Sequence, residues 1–322
     1  MSAVARAAAD PPRRPVGRRR RTVVMRVDDG VVSLGGHRLF TGTEEQLLAS
    51  IAELRALGRP TLMVTANVDQ ALDLERRAGT AEAYAAADLV IVDGMPLVHL
   101  ARALGARGIH RHTGADLLPQ VAGLSGGRRW RVVVLGGDPA VAEQAVRNLR
   151  ADHPGARISA VPFPWIDSAD DPASSAAVEG LHRARPDMVF VCLGSPKQEA
   201  WYLTWQDALP PAVYIGAGAA VDFAAGRFAR APKVVQRIGG EWVWRLCQEP
   251  RRLAHRYLVK GPRIVRVALR SWAARRSPDP EGRAEVGLTV VSPAPPPCRG
   301  CDGPVPCDLH RVPVENGDQP IA

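Results

Sequence analysis

The stretch Asp187-Met-Val-Phe-Val-Cys-Leu193, followed at once by Gly194-Ser-Pro-Lys-Gln-Glu199, decides the fold class of this chain. A continuous run of Val, Leu and Phe is typical of a strand buried on both faces, as in a parallel sheet. Similar apolar runs recur at Thr61–Thr65, Asp88–Val92, Trp130–Leu135, Ile158–Val161 and Val213–Ile215. The segments between them have helical periodicity. The alternation predicts an α/β fold, with a doubly wound, Rossmann-like and mostly parallel sheet.

Two of these connecting segments carry a specific helix prediction. Residues 68–86 place Ala71, Leu72, Glu75 and Ala78 at helical spacing, which predicts one helix there. Residues 138–150 follow Asp138-Pro139, an N-cap residue with proline in the first turn, and predict a second helix.

Length and composition exclude several classes of protein. The 322 residues are 46% hydrophobic and 23% charged, which is an ordinary globular composition and not that of a collagen or a coiled coil. No run reaches the ~18–20 apolar residues that cross a bilayer. Seven arginines crowd residues 1–21, but no apolar export-signal region follows them. We therefore expect a cytoplasmic protein.

The distribution of charge predicts four parts. Residues 1–21 are expected to be a disordered, Arg-rich arm, and residues 22–240 the α/β domain. Residues 227–276 hold 14 Lys and Arg but only two acidic residues, and 241–276 is predicted to be a basic, amphipathic, helical appendage. Residues 277–322 are Pro-rich and are expected to be a disordered tail.

Ligands of doubly wound folds bind outside the carboxyl ends of the strands, which directs attention to the residues there. Glycine in a turn before a helix lets a phosphate approach the backbone N–H groups, and three such turns, at Gly136, Gly194 and Gly216, suggest a nucleotide diphosphate. The alternative is tight packing of helix on sheet, which explains any single glycine more often than a ligand does. The dinucleotide fingerprint is incomplete, since Val221 stands where its third glycine would be.

Polar side chains at the same edge could carry chemistry. Asp93 ends an apolar strand and could be a general base, or else the N-cap of the helix after it. Thr65 and Asn67 could contact a sugar or cap a helix. Arg111 could hold a phosphate or carboxylate, or lie on a solvated face. The chain has no Asp-x-Asp pair, which favours a mechanism without a metal, in which cationic groups and helix N-termini balance the charge.

The basic block has a sequence typical of a membrane surface helix. Within 263–276, apolar residues at helical spacing alternate with arginines; the apolar ones are Ile264, Val265, Ala268, Leu269 and Trp272. Such a helix fits the interfacial zone of an anionic membrane. A helix packed on the sheet with its arginines outward is the alternative, and it is equally favoured for 241–258. Nucleic-acid binding is a third reading, although no recognised motif accompanies the charge.

Five cysteines suit a reducing compartment. Cys192 and Cys247 are expected in the core. The tail carries a C-x2-C-x5-C-x2-H set, which could hold a structural zinc ion; its members are Cys298, Cys301, Cys307 and His310.

Together these segments resemble the TagA/WecG/CpsF glycosyltransferase family from about Thr61 to Tyr257. The motifs that carry the resemblance are Thr65-Ala-Asn67, Ala87-Asp-Leu-Val-Ile-Val-Asp-Gly94, Arg111-His-Thr-Gly-Ala-Asp116, Gly194-Ser-Pro-Lys-Gln-Glu199, Gly216-Ala-Gly-Ala-Ala-Val-Asp-Phe223, Arg230-Ala-Pro232, Glu241-Trp-Val-Trp-Arg-Leu246 and Glu249-Pro-Arg-Arg252. The resemblance implies an inverting, metal-independent enzyme that needs no cofactor. Such an enzyme moves N-acetylmannosamine, a related aminosugar or uronic acid, or a hexose from a UDP donor. The acceptor is a polyprenyl-diphosphate-linked sugar at the inner face of the cell membrane, in the synthesis of wall polymer or cell-surface polysaccharide.

The resemblance also assigns roles to residues. It implies that Asp93 is the general base and that Thr65, Arg111 and Gln198 complete the catalytic set. The expected substrate-binding residues are Asn67, Gly94, Gly136, Gly137, Gly194, Pro196, Lys197, Glu199, Gly216, Gly218 and Asp222. The expected contacts to the lipid diphosphate and the membrane are Arg245, Arg252 and Arg256.

Two alternatives of other classes stay open on the sequence. A cytosolic nucleotide-sugar-modifying enzyme, such as an oxidoreductase, would need the complete glycine fingerprint. A non-enzymatic nucleic-acid-binding protein would use residues 227–276. The expected partners are the UDP-sugar, the lipid-linked acceptor and an anionic membrane, and no nucleic acid. The sequence leaves open whether the chain is a monomer or a homo-oligomer.

Overall fold

The computed structural model describes residues 22–163, 166, 168–232, 234, 235 and 239–275, and it begins with a small antiparallel sheet. Its strands are β1 (Met25–Asp28), β2 (Val31–Leu34) and β3 (His37–Leu39). The pairing places Val27 opposite Val32, and Val32 opposite Leu39. Tight turns at Asp29-Gly30 and Gly35-Gly36 reverse the chain with backbone φ angles above +45°, which glycine adopts at little cost. This sheet was not among the predicted elements.

The central sheet has six parallel strands, as predicted. They are β4 (Thr61–Ala66), β5 (Leu89–Val92), β6 (Val132–Leu135), β7 (Ile158–Val161), β8 (Met188–Val191) and β9 (Val213–Gly216). Their order across the sheet is β5-β4-β9-β8-β6-β7. From β4 the chain first moves outward to β5 and then crosses to β6. All of the carboxyl ends therefore lie along one edge, and the direction of winding reverses beside β4.

Helices cover both faces of this sheet. Those before and within the α/β part are α1 (Glu44–Ala56), α2 (Val68–Asp73), α3 (Ala78–Ala86), α4 (Met95–Ala103), α5 (Gly114–Arg128), α6 (Pro139–Asp152), α7 (Ala173–Ala184), α8 (Lys197–Trp205) and α9 (Ala220–Ala224). Side chains alternate along each strand: in β8, Val189 and Val191 join one apolar cluster, whereas Met188 and Phe190 join the other. This two-sided burial explains the uninterrupted apolar runs and confirms the doubly wound fold.

One helix prediction is right and the other is wrong. The helix predicted after Asp138 forms, and Asp138 Oδ1 accepts a hydrogen bond from the Ala140 N–H at 2.9 Å. The single helix predicted over 68–86 is instead the pair α2 and α3. Glu75 lies between them, and its Oε1 accepts hydrogen bonds from the Val23 N–H and from Arg270. The helix is interrupted at Arg77, whose backbone is extended (φ −117°, ψ 115°) where it caps α3, and local periodicity does not reveal this.

The C-terminal part of the described chain is helical. It contains α10 (Glu241–Gln248), α11 (Pro250–Ala254), a π-helical stretch (His255–Lys260), a 3₁₀ turn (Gly261–Arg263) and α12 (Ile264–Ala274). One side of α12 packs against β1. There the hydroxyl of Ser271 accepts from the Met25 N–H at 2.7 Å and donates to the carbonyl of Val267. In the part of the chain that the structure covers, no helix is long and apolar enough to span a bilayer.

The arm at 1–21 and the tail from 276 onward lie outside the described residues. The predicted zinc ligands Cys298, Cys301, Cys307 and His310 are among them. Of the other cysteines, Cys192 is buried as expected, whereas Cys247 is exposed and the prediction of a core position for it is wrong.

Candidate active site

A cleft of about 1000 Å³ opens at the carboxyl edge of the sheet. Its floor is formed by the loops that follow β4, β5, β6, β8 and β9, and its opposite wall by α10, α11 and residues 257–264. The cleft is therefore built from two parts of the sequence, the strand ends and the C-terminal helical segment. Its volume is ample for a nucleotide-sugar.

Most of the residues predicted from the sequence line this cleft. They are Thr65, Asn67, Asp93, Gly94, Arg111, Gly137, Gly194, Lys197, Gln198, Gly218, Asp222, Arg245 and Arg256. Four others do not: Gly136, Pro196, Glu199 and Gly216. Arg252 belongs to α11, and its side chain is outside the description.

The four that lie away from the cleft have structural explanations. A Cβ on Gly136 would come 2.8 Å from the side chain of Leu193, and one on Gly216 would come 2.6 Å from Nε2 of Gln198. These glycines therefore serve close packing, the alternative left open above, and not the cleft surface. Pro196 precedes α8 and forms a cis peptide bond with Ser195. Glu199 lies beneath the floor of the cleft, where it is 3% exposed.

Asp93 stands at the end of β5, with one third of its side-chain surface exposed to the cleft. Arg111 lies beside it: Nε donates to the backbone carbonyl of Asp93 at 2.7 Å, and Nη2 is 3.7 Å from Oδ1. The carboxylate therefore has a cation nearby but no close ion pair, and its free oxygen surface faces the cleft. A side chain so placed can accept a proton from a bound ligand.

Opposing effects act on the ionisation of this carboxyl. Burial at the base of the cleft raises the pKa of Asp93 above its ordinary value, and the positive charge of Arg111 opposes that rise. Of the more distant charges, Glu241 and Asp116 raise the pKa and Arg230 lowers it. A raised pKa makes the carboxylate a stronger base, which suits a proton acceptor working near neutral pH.

Thr65, Asn67 and Gln198 also support the frame of the site. The Thr65 hydroxyl donates to the Gly216 carbonyl at 2.7 Å, and Asn67 Oδ1 accepts from the Gln70 N–H at 3.2 Å as the N-cap of α2. Gln198 Oε1 accepts from the Gly218 N–H at 3.1 Å. The capping role left open for Asn67 is thus real, although its side chain still borders the cleft. These bonds fix the loops around Asp93.

Arginines converge on the cleft from the C-terminal side. Arg230 pairs with Glu241 and with Asp116, and Arg256 pairs with Asp69. Arg227 is 3.7 Å from Asp222. Arg245 lies over the ring of Phe223 at 5.3 Å, and its buried Nε has no hydrogen-bond partner in the described structure. Arg245 itself lines the cleft, where a guanidinium group suits an anionic ligand such as a diphosphate.

Some residues of the site were not assigned a role from the sequence. Glu241, Asp69, Trp242 and Tyr257 all line the cleft. Glu241 and Trp242 belong to the motif Glu241-Trp-Val-Trp-Arg-Leu246, which the resemblance pointed out without assigning either residue a role. Asp69 lies in the first turn of α2, two residues after the N-cap Asn67. No sequence pattern marks it as a site residue, because it reaches the cleft only through the position at which α2 begins.

The cleft contains carboxylates, the kind of side chain that can hold a cation, but arginines form ion pairs with them. In the described residues, no three His, Cys, Asp or Glu side chains gather into a potential metal site. Glu241 engages Arg111 and Arg230, and Asp69 engages Arg256. The arrangement fits a site whose positive charge comes from guanidinium groups.

Comparison with known proteins identifies the family of the chain. The model of the glycosyl transferase WecG/TagA/CpsF family matches residues 32–278. An N-acetylglucosaminyldiphosphoundecaprenol N-acetyl-beta-D-mannosaminyltransferase of Bacillus spizizenii is 26% identical over 223 residues, which cover 69% of this chain and 84% of the relative. An enzyme of the same name from Bacillus subtilis is 28% identical over 169 residues, or 52% of this chain and 64% of the relative.

The family match covers well over half of the chain, and it includes both the strand ends and the C-terminal helices that form the cleft. The chain is therefore a glycosyltransferase of the WecG/TagA/CpsF family.

Proposed function

We propose that this protein transfers a sugar from a UDP-sugar to a polyprenyl-diphosphate-linked sugar, with inversion at the anomeric carbon. The observation that carries the proposal is the Asp93 carboxylate, set in an arginine-lined cleft with a free surface toward the ligand space. The two Bacillus relatives are named for transfer of N-acetylmannosamine to N-acetylglucosaminyldiphosphoundecaprenol. N-Acetylmannosamine is therefore the first donor sugar to test, before related aminosugars, uronic acids and hexoses.

The reaction would be a single displacement. Asp93 removes the proton from the acceptor hydroxyl, the oxygen forms a bond to the anomeric carbon, and the bond from that carbon to the diphosphate breaks. UDP leaves with the bonding electrons. Direct attack on an α-linked UDP-sugar yields a β product, which accords with the beta linkage in the relatives' names. Thr65, Asn67 and Gln198 line the same cleft as Asp93 and would contact the sugars there.

Guanidinium groups would stabilise the leaving diphosphate in place of a metal ion. Arg227, Arg230 and Arg245 line the cleft, and Nη2 of Arg245 lies 3.7 Å from Oε1 of Glu249. The N-terminus of α8, at Gly194 and Lys197, adds backbone N–H groups on the same side. Preorganised cations of this kind lower the energy of charge that develops in the transition state.

The C-terminal segment would hold the enzyme at the inner membrane face, where the lipid-linked acceptor resides. One side of this segment packs on the rest of the protein, and its other side exposes large apolar side chains to solvent. The exposed ones include Trp242, Val243, Leu258, Val259, Val265, Leu269 and Trp272. Arginines and lysines alternate with them along the segment. Apolar insertion together with attraction to anionic lipids is the combination used by interfacial helices.

A donor screen tests the proposal. The purified protein is mixed with each of several UDP-sugars and a short-chain prenyl-diphosphate N-acetylglucosamine, and UDP release and the mass of the lipid product are followed. We expect one donor to give both signals at a rate that EDTA does not change. Loss of the rate in EDTA, with recovery on addition of Mg²⁺ or Mn²⁺, would contradict the metal-independent step. Absence of a lipid product with every UDP-sugar would contradict the proposed substrates.

A further inference from the structure

Glu241 connects the C-terminal segment to the general base. It is the first residue of α10, and its side chain is only 11% exposed. Its Oε2 accepts from Nη2 of Arg111, and its Oε1 accepts from Nη1 of Arg230. Both carboxylate oxygens are therefore engaged by arginines from the α/β part of the chain.

Arg111 faces two carboxylates with one nitrogen. The Nη2 atom that bonds Glu241 also lies 3.7 Å from Oδ1 of Asp93, while Nε is bound to the Asp93 carbonyl at 2.7 Å. The guanidinium is thus anchored next to Asp93, and its charged end is directed to Glu241. Without that second carboxylate, the same nitrogen would be free to pair with Asp93.

The two arrangements have opposite consequences for catalysis. A close Arg111 pair favours the charged form of Asp93 and makes it a weaker base. Glu241 offsets this, because it both engages the guanidinium and adds a negative charge nearby. The other charged groups that act on Asp93 are Arg230 and Asp116, which act in opposite directions. Glu241 is therefore the group through which the C-terminal segment acts on the base.

We infer that Glu241 is a positioning residue that keeps Asp93 basic by holding Arg111 away from it when α10 is seated on the cleft. This inference rests on the proposed role of Asp93. It makes proton removal depend on the C-terminal segment, the same segment that would meet the membrane. Sugar transfer is then favoured only when α10 and the rest of the C-terminal segment, which would bind the acceptor lipid, are seated on the cleft.

The substitution Glu241→Gln tests the inference, because it removes the charge and keeps the size of the side chain. We expect kcat to fall about fivefold, as for the loss of one charge pair. We also expect the acid limb of the plot of kcat against pH to move to lower pH, since a more strongly paired Asp93 ionises earlier. A residue with a merely structural role would raise KM and leave the limb in place.

Two further variants control the result. Glu249→Gln removes the other acidic charge of the C-terminal helices, which pairs with Arg245 and not with Arg111, and it should leave the acid limb where it is in the wild type. Glu241→Asp keeps the charge, so the acid limb of its pH profile should stay at the wild-type pH even if kcat changes. An unmoved limb in Glu241→Gln, or an equal shift in Glu249→Gln or Glu241→Asp, would overturn the inference.

Failure of this inference differs from failure of the proposed function. If Asp93→Asn kept full activity, Asp93 would not be the base and the proposed mechanism would fall. If Asp93→Asn were inactive and the acid limb of Glu241→Gln stayed at the wild-type pH, the inference about Glu241 would be wrong and the proposed mechanism would stand. Direct titration of the Asp93 carboxyl by ¹³C NMR in both Glu241 variants gives a readout that does not require turnover.

Discussion

The two walls of the cleft are built differently. The sheet wall consists of strand ends whose residues are buried on both sides: Phe190 and Ile215 of β8 and β9 are fully covered. The C-terminal wall consists of helices with one packed side and one exposed apolar side, and α12 extends it beyond the cleft, with Leu269 64% exposed and Trp272 54% exposed. The comparison indicates a division of work, in which the sheet fixes the geometry of the base and the C-terminal wall supplies cations and a surface for lipid.

The largest difference should appear in stability when an apolar side chain is removed from the sheet and from α12. Phe190→Ala would leave a cavity in a packed core and should lower the free energy of unfolding by about 3–5 kcal/mol. Leu269→Ala removes an exposed side chain and should change it by less than about 0.5 kcal/mol. Urea unfolding followed by circular dichroism measures both. Equal losses would show that α12 is part of the core, contrary to its observed exposure.

The same exposed side chains should dominate membrane binding. The double substitution Leu269→Ser and Trp272→Ser should weaken retention on phosphatidylglycerol vesicles by about tenfold or more, because two apolar side chains no longer insert. Leu57→Ser is a matched control, since Leu57 is 55% exposed at the end of α1. Vesicle sedimentation measures retention. Equal binding by the double variant and the wild type would refute the assignment of this surface, and a large loss with Leu57→Ser would place the contact elsewhere.

A smaller effect on the sheet side is expected beneath the floor of the cleft. Burial raises the pKa of Glu199, whose Oε1 accepts from Gln70 Nε2 at 2.7 Å and from Gln198 Nε2 at 2.9 Å. Its Oε2 has no hydrogen-bond partner in the described structure. Between the unfolded and the folded pKa values the native state therefore holds a proton that the unfolded chain has released, so stability falls as pH rises through that range.

Glu199→Gln removes this penalty and can keep the hydrogen bond through its amide oxygen. The variant should gain about 1 kcal/mol over the wild type at pH 7.5, with the gain shrinking toward pH 4. Thermal unfolding at the two pH values measures the difference. Glu179→Gln, at an exposed position of α7, is the control and should show no such dependence. The compared quantity is the stability of Glu199→Gln minus that of the wild type. If this difference were smaller at pH 7.5 than at pH 4, the charged carboxylate would be stabilising.

The sequence predicted the sheet wall more fully than the rest of the molecule. Strands buried on both faces must be apolar throughout, so all six central strands could be read directly from runs such as Met188–Val191. The small antiparallel sheet was missed although its signal was present: Asp29-Gly30 and Gly35-Gly36 are hairpin turn residues between short alternating segments. The break between α2 and α3 was missed because the helical spacing of Ala71, Leu72, Glu75 and Ala78 continues across Arg77, the extended residue at which the helix is interrupted.

The site was predictable to the extent that strand ends determine it. Asp93, Asn67 and Gly194 follow apolar runs and were placed at the correct edge. The glycines at 136 and 216 satisfy the same rule but serve packing, because a sequence pattern does not tell which side of a turn faces a ligand. The role of Glu241 depends on a helix folding back across more than a hundred residues to meet Arg111, and no local pattern specifies that contact.

The most direct test of the account is the rate of sugar transfer by Asp93→Asn, measured with UDP binding by calorimetry in the same preparation. Asparagine keeps the size of the side chain and cannot take the proton. The account predicts that UDP still binds as in the wild type, while kcat falls by about 10²–10⁴. A variant that binds UDP and transfers sugar at the wild-type rate would contradict it.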